Sequence, residues 1–313
     1  MSKVLLTGGT GLIGQRLCRI LEDRGYEVAI LSRRQGKGLQ ESGMQGSGPA
    51  TRMYSWNPGR LEIDEEAVNS CDFIIHLAGV NIGGKRWTRA RKQQILDSRV
   101  VPAELIHKKL DLGNSRLKAF ISASAVGYYG ARTTGDICSE TDPPASDFLG
   151  ETCRKWEQAA DRFDGAGIRT VKIRTGVVLS DKGGALKKMD WLFRIGVGSA
   201  IGNGRQYMPW IYIDDLCQIY IMSMEQEEMH GAYNAVAPEQ VTNRTFSKEL
   251  ARTLRRPFWF PRIPAVVMKL VFGEKSVILL TGNRVASGKI SDAGYVFLFP
   301  RLTDALRKIY SRS

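Results

Sequence analysis

The sequence predicts an α/β fold with a doubly wound parallel sheet and a smaller C-terminal lobe for a substrate. The chain opens on a strand, a glycine-rich turn, a helix and a second strand, and short apolar runs then alternate with helical segments until the alternation weakens beyond Ser180. We therefore expect a nucleotide-binding domain over residues 1–180, completed by about 210–236. Residues 181–209 and 237–313 would form the small lobe.

The glycine-rich turn follows the first predicted strand directly. It satisfies two spacings, Gly9-x-Gly11-x-x-Gly14 and Gly8-x-x-Gly11-x-x-Gly14. Glycines allow the tight turn, the close approach of backbone to a diphosphate and the close packing of the next helix, whose first N–H groups then bind the phosphates. The predicted cofactor contacts in this turn are Gly8, Thr10, Gly11, Leu12, Ile13 and Gly14.

The end of the second predicted strand, Glu27 to Ser32, indicates which dinucleotide binds. An NAD site usually has a carboxylate there for the ribose 2′-hydroxyl, but this chain has Ser32, Arg33 and Arg34 and no acidic residue before Glu41. A hydroxyl and guanidinium groups suit a 2′-phosphate, which a carboxylate would repel. The sequence therefore predicts NADP(H); the alternative is that the arginines form a solvated basic turn.

Later segments continue the α/β pattern. Leu77, Ala78 and Gly79 end a buried strand and are predicted to lie against the cofactor ribose. Pro102 lies inside a long predicted helix, where it removes an N–H donor, so we expect a kink or break near Ser98 and Arg99. The remaining predicted elements are strands at 53–57, 73–79, 117–124, 168–179, 210–213 and 232–236, helices at 62–69, 88–110 and 150–163, and two apolar helices after Pro264.

Composition narrows the classes of function. The chain has 313 residues, 43% of them hydrophobic, and a formal charge of +13 from 45 basic and 32 acidic residues. Because the basic residues are scattered without interleaved aromatics, we expect an anionic cofactor or substrate and no nucleic acid. The five cysteines lack C-x-x-C spacing, which argues against disulfides or bound metal. No stretch is long enough to span a membrane, so we expect a cytoplasmic protein without a membrane partner.

Several motifs together resemble the extended short-chain dehydrogenase/reductase superfamily, of the NAD(P)-dependent epimerase/dehydratase type with a Rossmann-like fold. The resemblance covers nearly the whole chain and implies a nicotinamide cofactor, with homodimers formed through long helices. The motifs are the turn from Thr7 to Gly14, Leu77-Ala78-Gly79, Ser122-Ala123-Ser124, Tyr129-Gly130, Glu140, Arg174-Thr175-Gly176 and Ile213-Asp214-Asp215-Leu216.

A narrower resemblance is to the uncharacterised "epimerase family protein" subgroup, sometimes labelled cell-division-inhibitor-like. It implies NADP(H), in agreement with the charge argument, and a C-terminal domain of unknown function. The motifs are Arg86-Trp87, Ser98-Arg99, Trp156-Glu157, Phe193-Arg194, Pro209-Trp210 and the tail around Leu280, Gly282, Val285, Gly294-Tyr295 and Phe299-Pro300. We assign Arg86, Arg99 and Arg174 to the cofactor side of the cleft, although Arg174 could instead hold substrate or pair with a carboxylate.

The superfamily's chemistry uses a Tyr-x-x-x-Lys dyad, in which the lysine lowers the pKa of the phenol that transfers a proton. At the spacing from the strand serine that the resemblance implies, Ser124 leads to Leu149 and, four residues later, to Cys153. Both members of the dyad are therefore missing. Lys155 is no substitute, because two further residues turn it about 200° around the helix.

Three hypotheses follow from the missing dyad. In the first, the chain is an oxidoreductase or epimerase-like enzyme that acts on an unknown small molecule, with Ser124 positioning the reacting group and Tyr128, Tyr129, Glu140 or Glu151 transferring the proton. Alternatively, it binds NADP(H) without turnover, as a redox sensor or partner-binding protein. A third hypothesis is that the basic surface binds nucleic acid, which the missing aromatic pattern disfavours.

Overall fold

The computed structural model describes residues 1–33 and 51–311. Arg34 and the predicted loop from 36 to 49 lie outside the described residues. In chain order the strands are β1 (Lys3–Thr7), β2 (Glu27–Ser32), β3 (Arg52–Asn57), β4 (Glu62–Ile63), β5 (Phe73–His76), β6 (Ala119–Ala125), β7 (Ile137–Cys138), β8 (Arg169–Thr175), β9 (Val177–Leu179), β10 (Trp210–Tyr212), β11 (Gly231–Ala235) and β12 (Arg284–Val285).

The helices lie on both faces of the main sheet and in the C-terminal segment. They are α1 (Leu12–Asp23), α2 (Glu65–Asn69), α3 (Arg89–Lys109), α4 (Phe148–Gly165), α5 (Gly184–Arg194), α6 (Ile213–Glu225), α7 (Asn243–Thr253), α8 (Ala265–Phe272), α9 (Val277–Leu280), α10 (Gly288–Asp292) and α11 (Leu302–Tyr310).

The main sheet confirms the predicted fold class. Its strand order is β11-β8-β6-β5-β1-β2-β3-β4, and neighbours are parallel except for the antiparallel pair of β3 and β4. The chain builds the sheet outward from β1 in one direction and then from β5 in the other. Ligands of such sheets bind where this reversal separates the carboxyl ends of two adjacent strands, which here are β1 and β5.

Strand β1 shows why the sheet is covered on both faces. Val4 and Leu6 pack into a core with α1 and α6, while Leu5 packs on the opposite face with α3 and α4. Because side chains alternate along a strand, a continuous apolar run requires a hydrophobic layer on each side.

Two details differ from the sequence predictions. The strand predicted over 168–179 is divided at Gly176, after which β9 leaves the main sheet and pairs with β10. The backbone of Pro209 approaches so closely that a Cβ at Gly176 would lie 2.6 Å from its carbonyl oxygen. The helix containing Pro102 is continuous from Arg89 to Lys109, so the break predicted near Ser98 is absent.

The C-terminal segment packs onto the same core as the nucleotide-binding sheet. Leu306 and Ile309 of α11 join the hydrophobic cluster that contains β1 and α1, and β12 pairs with β7. The buried carboxylate of Asp215 accepts hydrogen bonds from the Leu298 and Phe299 amides. Among the described residues, no helix is both long and apolar enough to cross a bilayer.

Candidate functional site

The turn between β1 and α1 forms a backbone cradle. Gly8 has φ of +71°, and its carbonyl accepts a hydrogen bond of 2.9 Å from the Gly11 amide. A Cβ at Gly8 would lie 2.9 Å from the Leu77 carbonyl carbon, and one at Gly14 would overlap the Gly8 carbonyl oxygen. Only glycine therefore fits at these two positions without moving backbone.

The first turn of α1 has the properties of an anion-binding site. Its N-cap residue is Gly11, which provides no side-chain cap, and the turn contains no acidic residue. The first amides of a helix lack partners within the helix and carry partial positive charge. The predicted contacts Thr10, Leu12 and Ile13 lie in or beside this turn, so the residues present fit a diphosphate.

A buried hydrogen-bond chain holds the ends of β1 and β5 together. The Thr7 hydroxyl accepts hydrogen bonds from the Leu77 and Ala78 amides, both at 3.1 Å, and lies 2.8 Å from His76 Nδ1. His76 Nε2 lies 3.1 Å from the Arg99 carbonyl oxygen, which can only accept. His76 therefore carries its proton on Nε2, and the Thr7 hydroxyl donates to Nδ1.

Burial lowers the pKa of His76 to about 4. At neutral pH the imidazole is therefore uncharged, and its two hydrogen bonds fix the strand ends that approach the cradle. These contacts agree with a role in packing rather than catalysis.

The residues after β2 are basic where an NAD site is usually acidic. Ser32 is partly exposed and Arg33 is exposed, and both follow the last buried position of the strand. Arg34 lies outside the described residues, so two of the three predicted 2′-phosphate contacts can be located. Their hydroxyl and guanidinium groups fit a phosphate monoester.

Arg99 projects from α3 toward the end of β5. A Cβ at Gly79 would lie 3.2 Å from its Cζ atom, and the guanidinium donates to the Ile95 and Val80 carbonyl oxygens at 2.8 and 3.3 Å. It lies 5.0 Å from the centre of the Trp156 ring. Burial lowers its pKa, and among the described residues no carboxylate lies within 4 Å of it.

Arg86, also predicted to bind cofactor, connects the loop after β5 to the C-terminal segment. Its guanidinium donates to the Leu270 carbonyl oxygen at 3.2 Å, and Lys275 donates to the Gly83 carbonyl oxygen at 3.1 Å. An ion pair between Lys92 and Glu274 lies beside these contacts. The loop beside the predicted cofactor site is thus attached to the small lobe.

Three neighbouring strands bring the predicted catalytic serine into a buried row. Ser124 of β6 is the register partner of Arg174 of β8, which is the partner of Asn234 of β11. The Ser124 hydroxyl donates to Glu157 Oε1 at 2.6 Å, and Arg174 forms two hydrogen bonds of 2.9 Å with both oxygens of Glu157. The Ser124 hydroxyl can therefore accept a hydrogen bond from a ligand but not donate one.

The two predicted catalytic tyrosines have different surroundings. Tyr129 is fully buried; its hydroxyl donates to Asn234 Oδ1 at 2.7 Å and accepts from Arg174 at 3.1 Å. Burial raises its pKa to about 12. Tyr128 is partly exposed, and its ring centre lies 3.4 Å from Cζ of Arg174.

Arg174 therefore pairs with a carboxylate, one of the two alternatives that the sequence left open. Its burial and its bidentate bond to Glu157 hold α4 against β8. Neither Glu157 nor Asn234 was named as a site residue from the sequence. Glu157 lies in a motif that supported the subgroup resemblance, but its partner across the sheet depends on strand register.

Two apolar side chains occupy the positions where the resemblance implies the dyad. Leu149 and Cys153 of α4 are buried, and Cβ of Leu149 and Sγ of Cys153 would lie 3.5 and 3.6 Å from a Cβ on Gly127. Burial raises the pKa of Cys153 to about 12, which keeps the thiol neutral. These positions contain no acid–base pair.

Two protein-family models match the sequence of this chain. The chain matches the model of the NAD dependent epimerase/dehydratase family over residues 4–235. It belongs to that family. A second model, a domain of unknown function (DUF1731), matches residues 263–309, and together the two confirm the resemblance described from the sequence.

Family relatives match the chain from end to end. Mouse epimerase family protein SDR39U1 is 35% identical over 310 residues, covering 98% of this chain and 99% of the relative. Epimerase family protein YfhF of Bacillus subtilis is 33% identical over 306 residues, covering 98% and 97%. A crystal structure of human SDR39U1 (isoform 2) with NADPH has a TM-score of 0.86 and 33% identity, covering 99% of this chain and 100% of that chain.

Proposed function

We propose that the protein binds NADP(H). The backbone from Gly8 to Gly14 would hold the diphosphate, and Ser32 and Arg33 the 2′-phosphate. The observation that carries this proposal is a cradle that only glycine permits, followed by basic rather than acidic residues after β2. The NADPH in the crystal structure of human SDR39U1 supports it. When bound, such a cofactor supplies or accepts a hydride at its nicotinamide ring.

We further propose that Arg99 supplies from α3 the positive charge that the missing lysine would supply from α4. The guanidinium approaches Gly79 and lies over Trp156 of α4. It also lowers the pKa of Cys153 through its charge, against the larger effect of burial. A cation without a carboxylate partner is suited to contact the anionic or hydroxyl groups of a dinucleotide.

Comparing the binding of two ligands tests this role of Arg99. NADPH contains both halves of the dinucleotide, whereas 2′,5′-ADP contains only the adenosine half. We expect Arg99→Met to weaken NADPH binding about tenfold or more, the value of a lost charged hydrogen bond, and to leave 2′,5′-ADP binding nearly unchanged. Arg33→Ala should weaken both ligands. Equal losses for both ligands in Arg99→Met would contradict the assignment.

For the reaction, we propose oxidoreductase or epimerase-like chemistry on a small molecule, with Tyr128 as the proton-transferring group. Tyr128 is partly exposed, whereas the Tyr129 hydroxyl is buried and bonded to Asn234. Ser124 would accept a hydrogen bond from the substrate, because its own proton is directed to Glu157.

A second candidate function is NADP(H) binding without turnover, as a redox sensor or partner-binding protein. The observation that favours it is the pair of buried side chains, Leu149 and Cys153, at the dyad positions. Leu149 has no titratable group, and burial raises the pKa of the Cys153 thiol to about 12, so the thiol does not ionise at neutral pH.

Assays with NADPH and a panel of aldehydes, ketones and nucleotide sugars separate the two candidates. Turnover that Tyr128→Phe abolishes while NADPH affinity is retained would support the enzyme. Tight NADPH binding with no turnover on the panel would support the sensor. Light scattering tests the homodimer that the family resemblance implies, and strong salt-dependent DNA binding would support the nucleic-acid hypothesis.

A further inference from the structure

The segment from Arg255 to Val271 exposes an unusual amount of apolar surface. Trp259 is 71% exposed and Leu270 72%, although residues of these types are normally buried or scattered singly on a surface. The large apolar residues exposed in this segment, called here the apolar basic surface, are Trp259, Phe260, Val266, Val267, Leu270 and Val271.

Helix α8 concentrates four of these side chains on one stripe. Val266 and Leu270 are four residues apart, as are Val267 and Val271, so all four lie within about 140° of one another around the helix. Met268 lies on the opposite side and is buried. The helix therefore contacts the lobe through one side and exposes an apolar stripe on the other.

The backbone before α8 is held in place, so the exposure does not come from a frayed end. Ser199 donates to the carbonyl oxygens of Phe260 and Pro261 at 3.1 and 2.8 Å. The Ile263 amide donates to the Ala200 carbonyl oxygen at 3.0 Å.

The segment that forms this surface is positively charged. Its cations are Arg255, Arg256, Arg262 and Lys269, all exposed, and residues 255–273 contain no Asp or Glu. Within the described ranges 1–33 and 51–311, none of the four lies within 4 Å of a carboxylate.

We propose that the apolar basic surface binds the surface of an anionic lipid bilayer. Exposed Trp, Phe, Leu and Val would enter the boundary between headgroups and acyl chains, while the arginines and Lys269 contact lipid phosphates. Tryptophan is favoured at that depth because its ring is amphipathic. The protein would lie on the membrane without crossing it. The absence of a stretch long enough to span a membrane led us to expect no membrane partner, and this proposal changes that expectation.

Charge complementarity favours an anionic bilayer over a second copy of the chain or a nucleic acid as the partner of this surface. A second copy of the chain, joined through the same surface by a two-fold axis, would bring identical cations together. Residues 255–262 interleave three aromatic side chains with three arginines, contrary to the expectation that basic residues are scattered without aromatics. A nucleic acid would match this part of the surface but leave the stripe of α8 in water. An anionic bilayer satisfies both the cations and the apolar side chains.

Co-sedimentation of the full chain with lipid vesicles tests the proposal. We expect binding to vesicles of phosphatidylcholine with phosphatidylglycerol, weakened by salt, and much weaker binding to pure phosphatidylcholine. The double variant Trp259→Ser with Leu270→Ser should lose binding about tenfold or more. Arg255→Gln and Arg256→Gln should each reduce the preference for anionic vesicles roughly fivefold.

A matched control uses exposed apolar residues outside the surface. Val296→Ser with Leu298→Ser removes side chains that are 84% and 57% exposed and should leave vesicle binding unchanged, while circular dichroism confirms that both double variants are folded. Absence of binding to anionic vesicles, or an equal loss in the control, would overturn the proposal. So would a dimer in light scattering that only Trp259→Ser with Leu270→Ser dissociates, since a second copy would then cover the surface.

Discussion

The cofactor cradle and the predicted catalytic end of the same cleft differ in how well they match the pattern that the family resemblance implies. The turn from Gly8 to Gly14 keeps the spacing and close contacts that a dinucleotide requires. A few strands away, the helix on which the resemblance implies the dyad presents Leu149 and Cys153 at those positions, and Ser124 is hydrogen-bonded to Glu157. The backbone of the cradle fits the pattern that the resemblance implies, whereas the side chains at the implied dyad positions of α4 do not.

The contrast teaches what each function needs from the chain. Cofactor binding depends on where backbone amides point, which is tied to the packing of β1, β5 and α1 and changes only with the fold. Proton transfer depends on two side chains on one helix face. Those can be exchanged for apolar residues that pack equally well, so the fold persists even if the chemistry changes.

The largest expected effect on cofactor affinity is at the cradle. Gly14→Val should reduce NADPH affinity by more than about a hundredfold, because its Cβ would overlap the backbone of Gly8 and displace the helix N-terminus that binds phosphate. Calorimetry measures the loss. Gly288→Ala is the control, since a Cβ there meets nothing within 4 Å; equal losses in both variants would show that the cradle is not the site.

The buried ion pair of Glu157 and Arg174, at the predicted catalytic end of the cleft, should affect the stability of the fold more than cofactor affinity. Glu157→Gln leaves Arg174 buried without its carboxylate and should lower the free energy of unfolding by about 3–5 kcal/mol, with NADPH affinity little changed. Urea unfolding measures the first quantity and calorimetry the second. Glu151→Gln, which removes an exposed ion pair with Arg154, should leave stability unchanged.

The pH dependence of stability tests how His76 holds the strand ends. The folded pKa of about 4 lies below the unfolded value of 6.5, so the unfolded chain binds the proton more readily. The contribution is complete above pH 6.5 and is lost as pH falls toward 4, by about 3 kcal/mol in all. His76→Asn should flatten this part of the stability profile; an unchanged profile would contradict the assignment.

A smaller effect on stability should show whether Arg99 supplies the positive charge that a lysine on α4 would otherwise supply. Cys153→Lys places a cation on α4 where the resemblance implies one, but close to the Arg99 guanidinium, so it should destabilise the fold. Adding Arg99→Met should recover part of the loss, with a coupling energy of about 1–2 kcal/mol in a double-mutant cycle. Strictly additive effects would mean that the two positions do not share one charge site.

Local sequence was sufficient for the cradle and its flanking elements. The bounds predicted for β2, Glu27 to Ser32, are those observed. The helix predicted over 88–110 begins where the Thr88 hydroxyl accepts a hydrogen bond from the Arg91 amide at the start of α3. These features depend on residues that are neighbours in the chain. Apolar runs, glycines and caps therefore predicted them.

Features that depend on contacts between residues far apart in the sequence could not be predicted. Strand division at Gly176 requires the approach of Pro209, and the row of Ser124, Arg174 and Asn234 requires the register of three strands that are far apart in sequence. The apolar composition of α8 predicted a helix, but periodicity alone does not show whether its apolar side is covered. The structure exposes it.

The proposed preference for a phosphorylated dinucleotide depends on Ser32 and Arg33 after β2, with the cradle holding the diphosphate. Calorimetric titration of the purified protein with NADPH and NADH, in the same buffer, tests it most directly. We predict that NADPH binds about tenfold to a hundredfold more tightly, the value of one or two charged hydrogen bonds to the 2′-phosphate, and that Arg33→Asp abolishes the difference. Equal or tighter binding of NADH, or no binding of either, would contradict the account.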